Sequence, residues 1–530
     1  MFVGQHPTLN TQHPPAVPSA LGLIVLGGLS CGLYGWIALR YPLLAGLAIG
    51  RASWATLGDR SLAAGLLHGG VYSLLLLLYL LAQRLLLGSQ DSAHKRGPLL
   101  ITLGGWLLAS AILLAAYPGE SLDIFDYLFR GRMLAEYGAS PLAQSPTSFR
   151  EQPFYRLITW RGQVDTYGPL WEYASWGVAK IVGRSLPTPL AETTAALMRY
   201  VLGYRLLAIW VSGLCGALIY QIVRRSAPRL AAAALLAWLW NPLLLTVSAV
   251  GAHNDLIMLL WMLGGLWLFQ RERWLLGLLA LLLAAHVKLT ALLLLPVAGL
   301  WLLRRVGWRR SLDYTAGALA IMAPLSWLLY APLGGWATLP RMLRERTLFL
   351  ANSLADLLYR WLQEQQGWVE PAARQLATLG ATALFCVLAG LLLLLLLDLR
   401  TLLRPHAAPP ADALLWRCGI AIFIAYLLVG SFWFMPWYAL WALALAALLP
   451  ASRWMRGWLP ALCLGALWSG LAADVLTFLP GRPLSPTMVT WATLGCLLAP
   501  LASAGLMQIG LGIRWKQPRH RKGAHPTASR

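Results

Sequence analysis

The residues of this 530-residue chain best suited to chemistry are Asp123, the run His253-Asn254-Asp255, and Lys288. Each stands beside a long apolar run or interrupts one, where an ionisable side chain is costly unless it is used. An ionised Asp123 could take the proton of an attacking hydroxyl, as general-base catalysis requires. His253, Asn254 and Asp255 could bind a sugar hydroxyl, a phosphate or a metal. Lys288, with His286, breaks the apolar stretch 274–303. It either snorkels or meets an anion, and phosphate suits its three N–H donors and full charge. Arg132, Arg341, Arg344 and Arg346 are further cations, and Arg favours bidentate phosphate contacts. Two aromatic turns, Tyr167-Gly168-Pro169-Leu170-Trp171 and Trp433-Phe434-Met435-Pro436-Trp437-Tyr438, fit either an interfacial aromatic belt or a platform for sugar rings.

Each of these residues also has a plainer reading. Asp123 falls in the first turn of a helix expected near 122–137, capped by Ser121 and stopped by Gly138, where the helix dipole favours an acid. Tyr127 lies four residues on and shares its face. Asp126 precedes Arg130 by four residues, an ion-pair spacing. Asn254 or Asp255 could simply start the next helix. Their common location tips the balance: when the apolar runs are threaded back and forth across a bilayer, all of these residues surface at one end.

The elements that must position them are membrane helices. Hydrophobic residues make up 58% of the chain and charged residues 12%, against about 25% charged in soluble proteins. A spanning helix needs roughly 20 apolar residues. Runs of about that length recur often enough to predict an all-α polytopic membrane protein with about fourteen transmembrane helices and two folded external loops. The expected organisation is a disordered N-terminus (1–18), three membrane helices (19–117), an external catalytic loop (118–198) and further membrane helices (199–332). A second external loop (333–374), C-terminal membrane helices (375–513) and a basic cytoplasmic tail (514–530) complete it. The net charge of +22 does not point to nucleic acid. Its Lys and Arg residues crowd alternate short loops, such as Arg224-Arg225, Arg304-Arg305 and Arg309-Arg310, which places those loops in the cytoplasm. Arg40, Arg51 and Arg60 in the first hairpin run against this pattern and are outvoted by the later loops. Cys31, Cys215, Cys386, Cys418, Cys463 and Cys496 stand singly, with no metal or disulfide spacing, and read as small core residues.

Five segments in order also carry a family resemblance: Asp123-Ile124-Phe125-Asp126-Tyr127 with Gly131-Arg132, Tyr167–Trp171, Gly251–Asp255, Val287-Lys288-Leu289, and Pro436-Trp437-Tyr438. Together they resemble the GT-C superfamily of membrane glycosyltransferases, above all the bacterial polyprenol-phosphate-mannose-dependent alpha-1,6-mannosyltransferases. The resemblance covers about residues 120–300 and 430–442; Arg130 departs from relatives that carry an acid before the Gly-Arg pair. It implies a multi-span fold whose first large external loop holds an essential Asp, here Asp123. It also implies a lipid-phosphate sugar donor whose cavity is lined by residues matching His253, Asn254, Asp255 and Lys288.

The expected function is transfer of a hexose, mannose in this family, from a polyprenyl-phosphate donor to a glycan or lipid-linked acceptor. The expected site is external, in the plasma membrane of the cell envelope. Asp123 is the expected base. Lys288, His253, Asn254, Asp255, Arg132, Tyr127 and Arg344 are expected to bind donor phosphate or sugar, with Asp126, Tyr167, Trp171, Trp437 and Tyr438 as secondary candidates. No cofactor is expected: a divalent metal held by Asp123 with His253 or Asp255 is conceivable but not favoured, because cations alone can handle a lipid phosphate. The expected partners are the lipid-linked donor, the acceptor and membrane lipids, with no nucleic acid. The rival reading is a transporter or lipid-linked sugar flippase, which would need charged or broken helices near the bilayer midplane.

Overall fold

Apolar runs of spanning length become helices because a helix satisfies its own backbone where no water can. The structure, a computed structural model, describes residues 19–58, 61–88, 96–187, 190–397, 411–477 and 484–514. The termini expected to be disordered lie outside these residues, as do the basic tail beyond Arg514 and the loop positions Arg60, Lys95, Arg400 and Arg404. The described residues form helices joined by turns, and β pairing among them is limited to two isolated bridges, Pro42 with Ala116 and Ala351 with Trp433.

Ten helices are long and apolar enough to cross a membrane, or eleven if one bent pair counts as a single span. That is fewer than the expected fourteen or so. The difference lies in Asp255–Gln270, Trp274–Ala285 and Pro436–Ala447. At 1.5 Å per residue these apolar helices fall short of a hydrocarbon layer about 30 Å thick. The bent pair, Pro228–Leu239 and Pro242–Gly251, turns by 50°. The cause is local: Pro242 has no N–H to continue the ladder, and Asn241 restarts the helix by accepting from the Leu243 amide at 3.0 Å.

The helices that position the site are α1 (Asp123–Tyr137), α2 (Pro169–Gly183), α3 (Thr194–Ser226), α4 (Asp255–Gln270), α5 (Trp274–Ala285) and α6 (Ala439–Ala447). The segment 118–198 folds as α1, two short 3-10 turns and α2. The segment 333–374 folds around Leu339–Thr347 and Leu354–Glu364. Helix α1 begins at Asp123 and ends, as expected, at Gly138, whose φ of 64° lets its N–H return to the Met133 carbonyl. Leu122, not Ser121, occupies the cap, and the Ser121 hydroxyl instead accepts from the Asp123 amide at 3.3 Å. The apolar stripe Phe125, Leu128, Phe129 and Met133 is fully buried against the bundle. Six cysteines are free, in keeping with their isolated spacing.

Candidate active site

Five chain segments meet where α1 and α4 begin. Both helices open on an aspartate, Asp123 and Asp255. What delivers the second is a backbone irregularity. The helix before it widens into a single π turn, Val247–Gly251, and Ala252 then adopts a left-handed φ of 55°. A π turn of this kind marks many functional sites. Here it throws the His253 ring back over Gly251, where an added Cβ would stand 2.6 Å from the imidazole. The ring is buried and stacks on Trp437 with centroids 3.7 Å apart.

His253 Nδ1 lies 4.0 Å from Asp123 Oδ2 and 3.4 Å from the Tyr127 hydroxyl. Asp123 and Tyr127 therefore do share a face, and both look at His253. Tyr127 is held in turn by the edge of Trp171 at 4.8 Å and by Tyr167 at 6.0 Å.

Deeper in, Asp255 Oδ1 accepts from Lys288 Nζ at 2.8 Å and from the Trp441 indole of α6 at 2.6 Å. Lys288 also faces the rings of Tyr438 at 4.4 Å, Trp441 at 5.3 Å and Tyr167 at 5.5 Å. An ammonium among aromatic faces and one carboxylate is a cation held in place. Asp255 Oδ2, His253 Nε2 and both polar atoms of Asn254 are buried with no protein partner. Buried polar atoms rarely go unmatched, so this wall of the site holds unused hydrogen-bonding capacity.

Lys288 reaches this position because α5 stops at Ala285 and Lys288 is extended, with φ −151° and ψ 124°. The aromatic turn 167–171 fastens to that break. The Gly168 amide donates to the Val287 carbonyl at 2.9 Å, and the Leu170 amide to that of His286 at 3.0 Å. A Cβ at residue 168 would stand 2.0 Å from the His286 carbonyl oxygen. Only glycine permits that approach, so the Gly-Pro turn is a weld between the loop and the bundle. Trp171 lies inside this packing, fully buried.

Above Asp123 lies a narrow cleft of about 50 Å³, lined in part by Asp126, Arg130, Trp160, Tyr167, Arg346 and Trp433. That is room for a few waters at most. Its roof is aromatic and comes from three distant segments: Trp160 packs on Phe349 at 4.4 Å, and Phe349 stacks on Trp433 at 5.4 Å. Asp123 faces the cleft with 19% of its side chain exposed. Burial, then the charge of Asp126, pushes its carboxyl up to about 7.

Asp126 does not pair with Arg130 as their spacing suggests. Its two oxygens accept from the Thr159 and Trp160 amides, each at 3.0 Å. Arg130 donates to the Trp160 and Gln163 carbonyls and lies 3.7 Å from Asp165. One turn of α1 thus grips both sides of the 159–163 loop that walls the cleft. Burial raises the Asp126 carboxyl to about 6, against the pull of Arg130. Burial and the neighbouring Asp165 also hold Glu172 well above the usual carboxylate range.

Two expected residues are not brought here. Arg132 forks onto Glu136 at 2.7 and 2.8 Å, donates to the Pro153 carbonyl, and lines a different cavity. Its partners are already filled, so it does not join Asp123 and Lys288. Arg344 is exposed, and Arg346 lines the cleft instead. Residues two apart on a helix point about 200° apart, so only one of them can face inward. Sequence reasoning also missed Trp160, Phe349 and Trp441. Trp441 alone had a signal, being four residues after Trp437 on an apolar helix. Among the described residues, no group of three or more His, Cys, Asp and Glu could hold a metal.

A sequence model of the family described as alpha-(1->6)-mannopyranosyltransferase, N-terminal domain, matches residues 19–304, more than half of the chain. The chain belongs to the alpha-(1->6)-mannopyranosyltransferase family. It is also similar to alpha-(1->6)-mannopyranosyltransferase A of Mycobacterium tuberculosis (strain ATCC 25618 / H37Rv), with 29% identity over 490 residues, 84% of this chain and 82% of the relative. The resemblance to GT-C mannosyltransferases read from the five segments is borne out, and the protein is a multi-pass membrane glycosyltransferase. The family match contains Asp123, Trp160, His253, Asp255 and Lys288 but stops short of the wall residue Arg346 and the roof residues Phe349 and Trp433.

Proposed function

We propose that this mannosyltransferase takes mannose from a polyprenyl-phosphate donor and passes it to a hydroxyl of a glycan or lipid-linked acceptor. The site would lie on the external face of the plasma membrane, as the distribution of basic loops suggests. The observation that carries this reading is the pairing of a cleft-facing carboxylate, raised to about 7, with buried cationic and unmatched polar groups directly beneath it.

In this mechanism the acceptor oxygen attacks the anomeric carbon in line with the departing phosphate. The new C–O bond forms as the sugar–phosphate bond breaks. The acceptor proton passes to the Asp123 carboxylate, and a single displacement inverts the anomeric centre. A base with a pKa near the working pH is well matched to that transfer. Arg346 at the cleft wall and Lys288 beneath it stabilise the charge gathering on the phosphate. The unmatched atoms of Asn254, Asp255 and His253 suit sugar hydroxyls, which both donate and accept. The narrow cleft admits substrate only when the Trp160, Phe349 and Trp433 roof parts. A transporter reading draws no support from this arrangement, since the polar groups gather at one end of the bundle.

Transfer of radiolabel from polyprenyl-phosphate-mannose in membranes, wild type against Asp123→Asn, tests the reading. Wild-type transfer with none by a normally expressed variant supports both donor and base. Equal labelling by both removes Asp123 from the mechanism. Labelling from a different polyprenyl-phosphate sugar, and none from the mannose donor, overturns the donor assignment.

A further inference from the structure

A cavity far roomier than the cleft above Asp123 lies elsewhere along the same helices. About 930 Å³ lies between the C-terminal halves of α1 and α2 and the start of α3. Both helices run from the Asp123 site to this cavity; along α1 alone the two are about 20 Å apart. Helix α2 lies close on α3, for a Cβ at Gly203 would stand 2.8 Å from a Val182 methyl. Tyr200, on the cavity wall, is about 9 Å down the axis of α3 from its first residue. At 33 residues α3 is longer than a hydrocarbon layer about 30 Å thick, so a cavity beside its first turns would fall at headgroup depth.

Its walls divide by chemistry. Trp176, Lys180 and Arg184 recur every four residues and form one stripe on α2. Trp176 is 41% exposed, Ile181 beside the stripe 72%, and Tyr137 across the cavity 40%. Apolar exposure of that size is ordinary where lipid covers it. Lys180 and Arg184 are exposed and have no ion pair among the described residues. The one carboxylate lining the cavity, Glu136, is already held by Arg132 and by the Tyr200 hydroxyl. Two uncompensated cations therefore face a cavity whose open rim is apolar.

We propose that this cavity binds the anionic headgroup of a membrane phospholipid, with Lys180 and Arg184 on the phosphate and Trp176 and Ile181 against the upper acyl chains. The charge selects an anion and the apolar rim selects one with a lipid tail. The site is separate from Asp123 and does not depend on what donor or acceptor the enzyme uses.

The test uses the full chain in nanodiscs of phosphatidylcholine with or without phosphatidylglycerol, and reads lipid retained through native mass spectrometry and the unfolding temperature. Wild type should retain phosphatidylglycerol and unfold at higher temperature when it is present. The double variant Lys180→Gln with Arg184→Gln should retain about 30-fold less, the product of two juxtamembrane cations, and lose the thermal response. Arg150→Gln, an exposed cation outside the cavity, should match wild type. Both positions are exposed, so the double variant should fold, and its unfolding temperature in pure phosphatidylcholine should equal that of wild type. Equal retention by wild type and the double variant overturns the proposal. So does full protection by soluble glycerol 3-phosphate in phosphatidylcholine discs, which would make this a site for a free phosphate. Protection by a mannose oligosaccharide, with indifference to phosphatidylglycerol, overturns it in favour of a glycan.

Discussion

Asp123 and Asp255 occupy the same position on two helices and live in opposite surroundings. Each is the first residue of its helix, where the dipole favours an anion. Asp255 is fully buried and is met by an ammonium and an indole N–H. Asp123 faces the cleft, with the His253 imidazole no closer than 4.0 Å and its own pKa raised. One carboxylate is fixed through Oδ1 by a cation and an indole, leaving only Oδ2 unmatched; the other is held loosely and poised. The contrast shows that a helix start does not decide a role; the groups brought in from distant segments do.

The sharpest test of that contrast is Asp123→Asn. Loss of a general base should cost about 10³-fold in transfer with the fold retained, measured as initial rate beside thermal unfolding. A rate within a few-fold of wild type would put the two acids on an equal footing. Next comes Lys288→Met, which strands Asp255 and should destabilise by about 3–5 kcal/mol. Adding Asp255→Asn should restore much of that stability without restoring transfer. If the double variant is no more stable than the single, Asp255 is not the counter-charge of Lys288 that the geometry describes.

A smaller effect is expected at Asp126, whose job is to hold the amides of 159 and 160. Asp126→Asn keeps its size but loses charge-assisted bonds worth about 1.5–3 kcal/mol each. It should raise KM about tenfold with little change in kcat, read from saturation curves. A loss confined to kcat would make Asp126 part of the chemistry. The pH profile is gentler still. With Asp123 near 7, the rate should fall about tenfold per unit below that value as the base protonates, and Asp255→Asn should leave this limb in place.

The same raised carboxyl also bears on stability. The folded carboxyl of Asp123 keeps a proton up to about 7 that the unfolded chain, at its ordinary value of 3.8, has already lost. The folded state therefore binds more protons between those values, and stability declines as pH rises through that window. Asp123→Asn should remove that slope, so the variant should gain most over wild type at pH 8 and least near pH 4. Parallel unfolding curves would contradict the poised state of this acid.

Much of this was legible in the sequence because lipid imposes strong rules. Apolar length gives spans, and the break at His286–Lys288 stands out against its surroundings. Asp123, Tyr127, His253, Asp255 and Lys288 converge as their shared end of the bundle suggested. The span count ran high because short buried helices such as Trp274–Ala285 have the composition of spans without the length. Arg132 lies apart from the other expected residues because it pairs with Glu136, four residues on, a spacing that the sequence already shows. The choice of Arg344 over Arg346 turned on helix phase, which a nine-residue helix in a loop does not reveal. The roof was invisible, since nothing in the local pattern of Trp160, Phe349 or Trp433 says that residues nearly three hundred positions apart will stack.

That roof bears on the order in which the protein is made. By the time Lys288 leaves the ribosome the nascent chain already contains Asp123, His253 and Asp255. Phe349, Trp433, Trp437 and Trp441 are not yet synthesised, so His253 has no stacking partner and the indole that helps to neutralise Asp255 is missing. Until the last of these residues has been inserted, the acid is open to water and the site cannot enclose a substrate. The site proposed as catalytic is thus completed only after most of the polypeptide has been made.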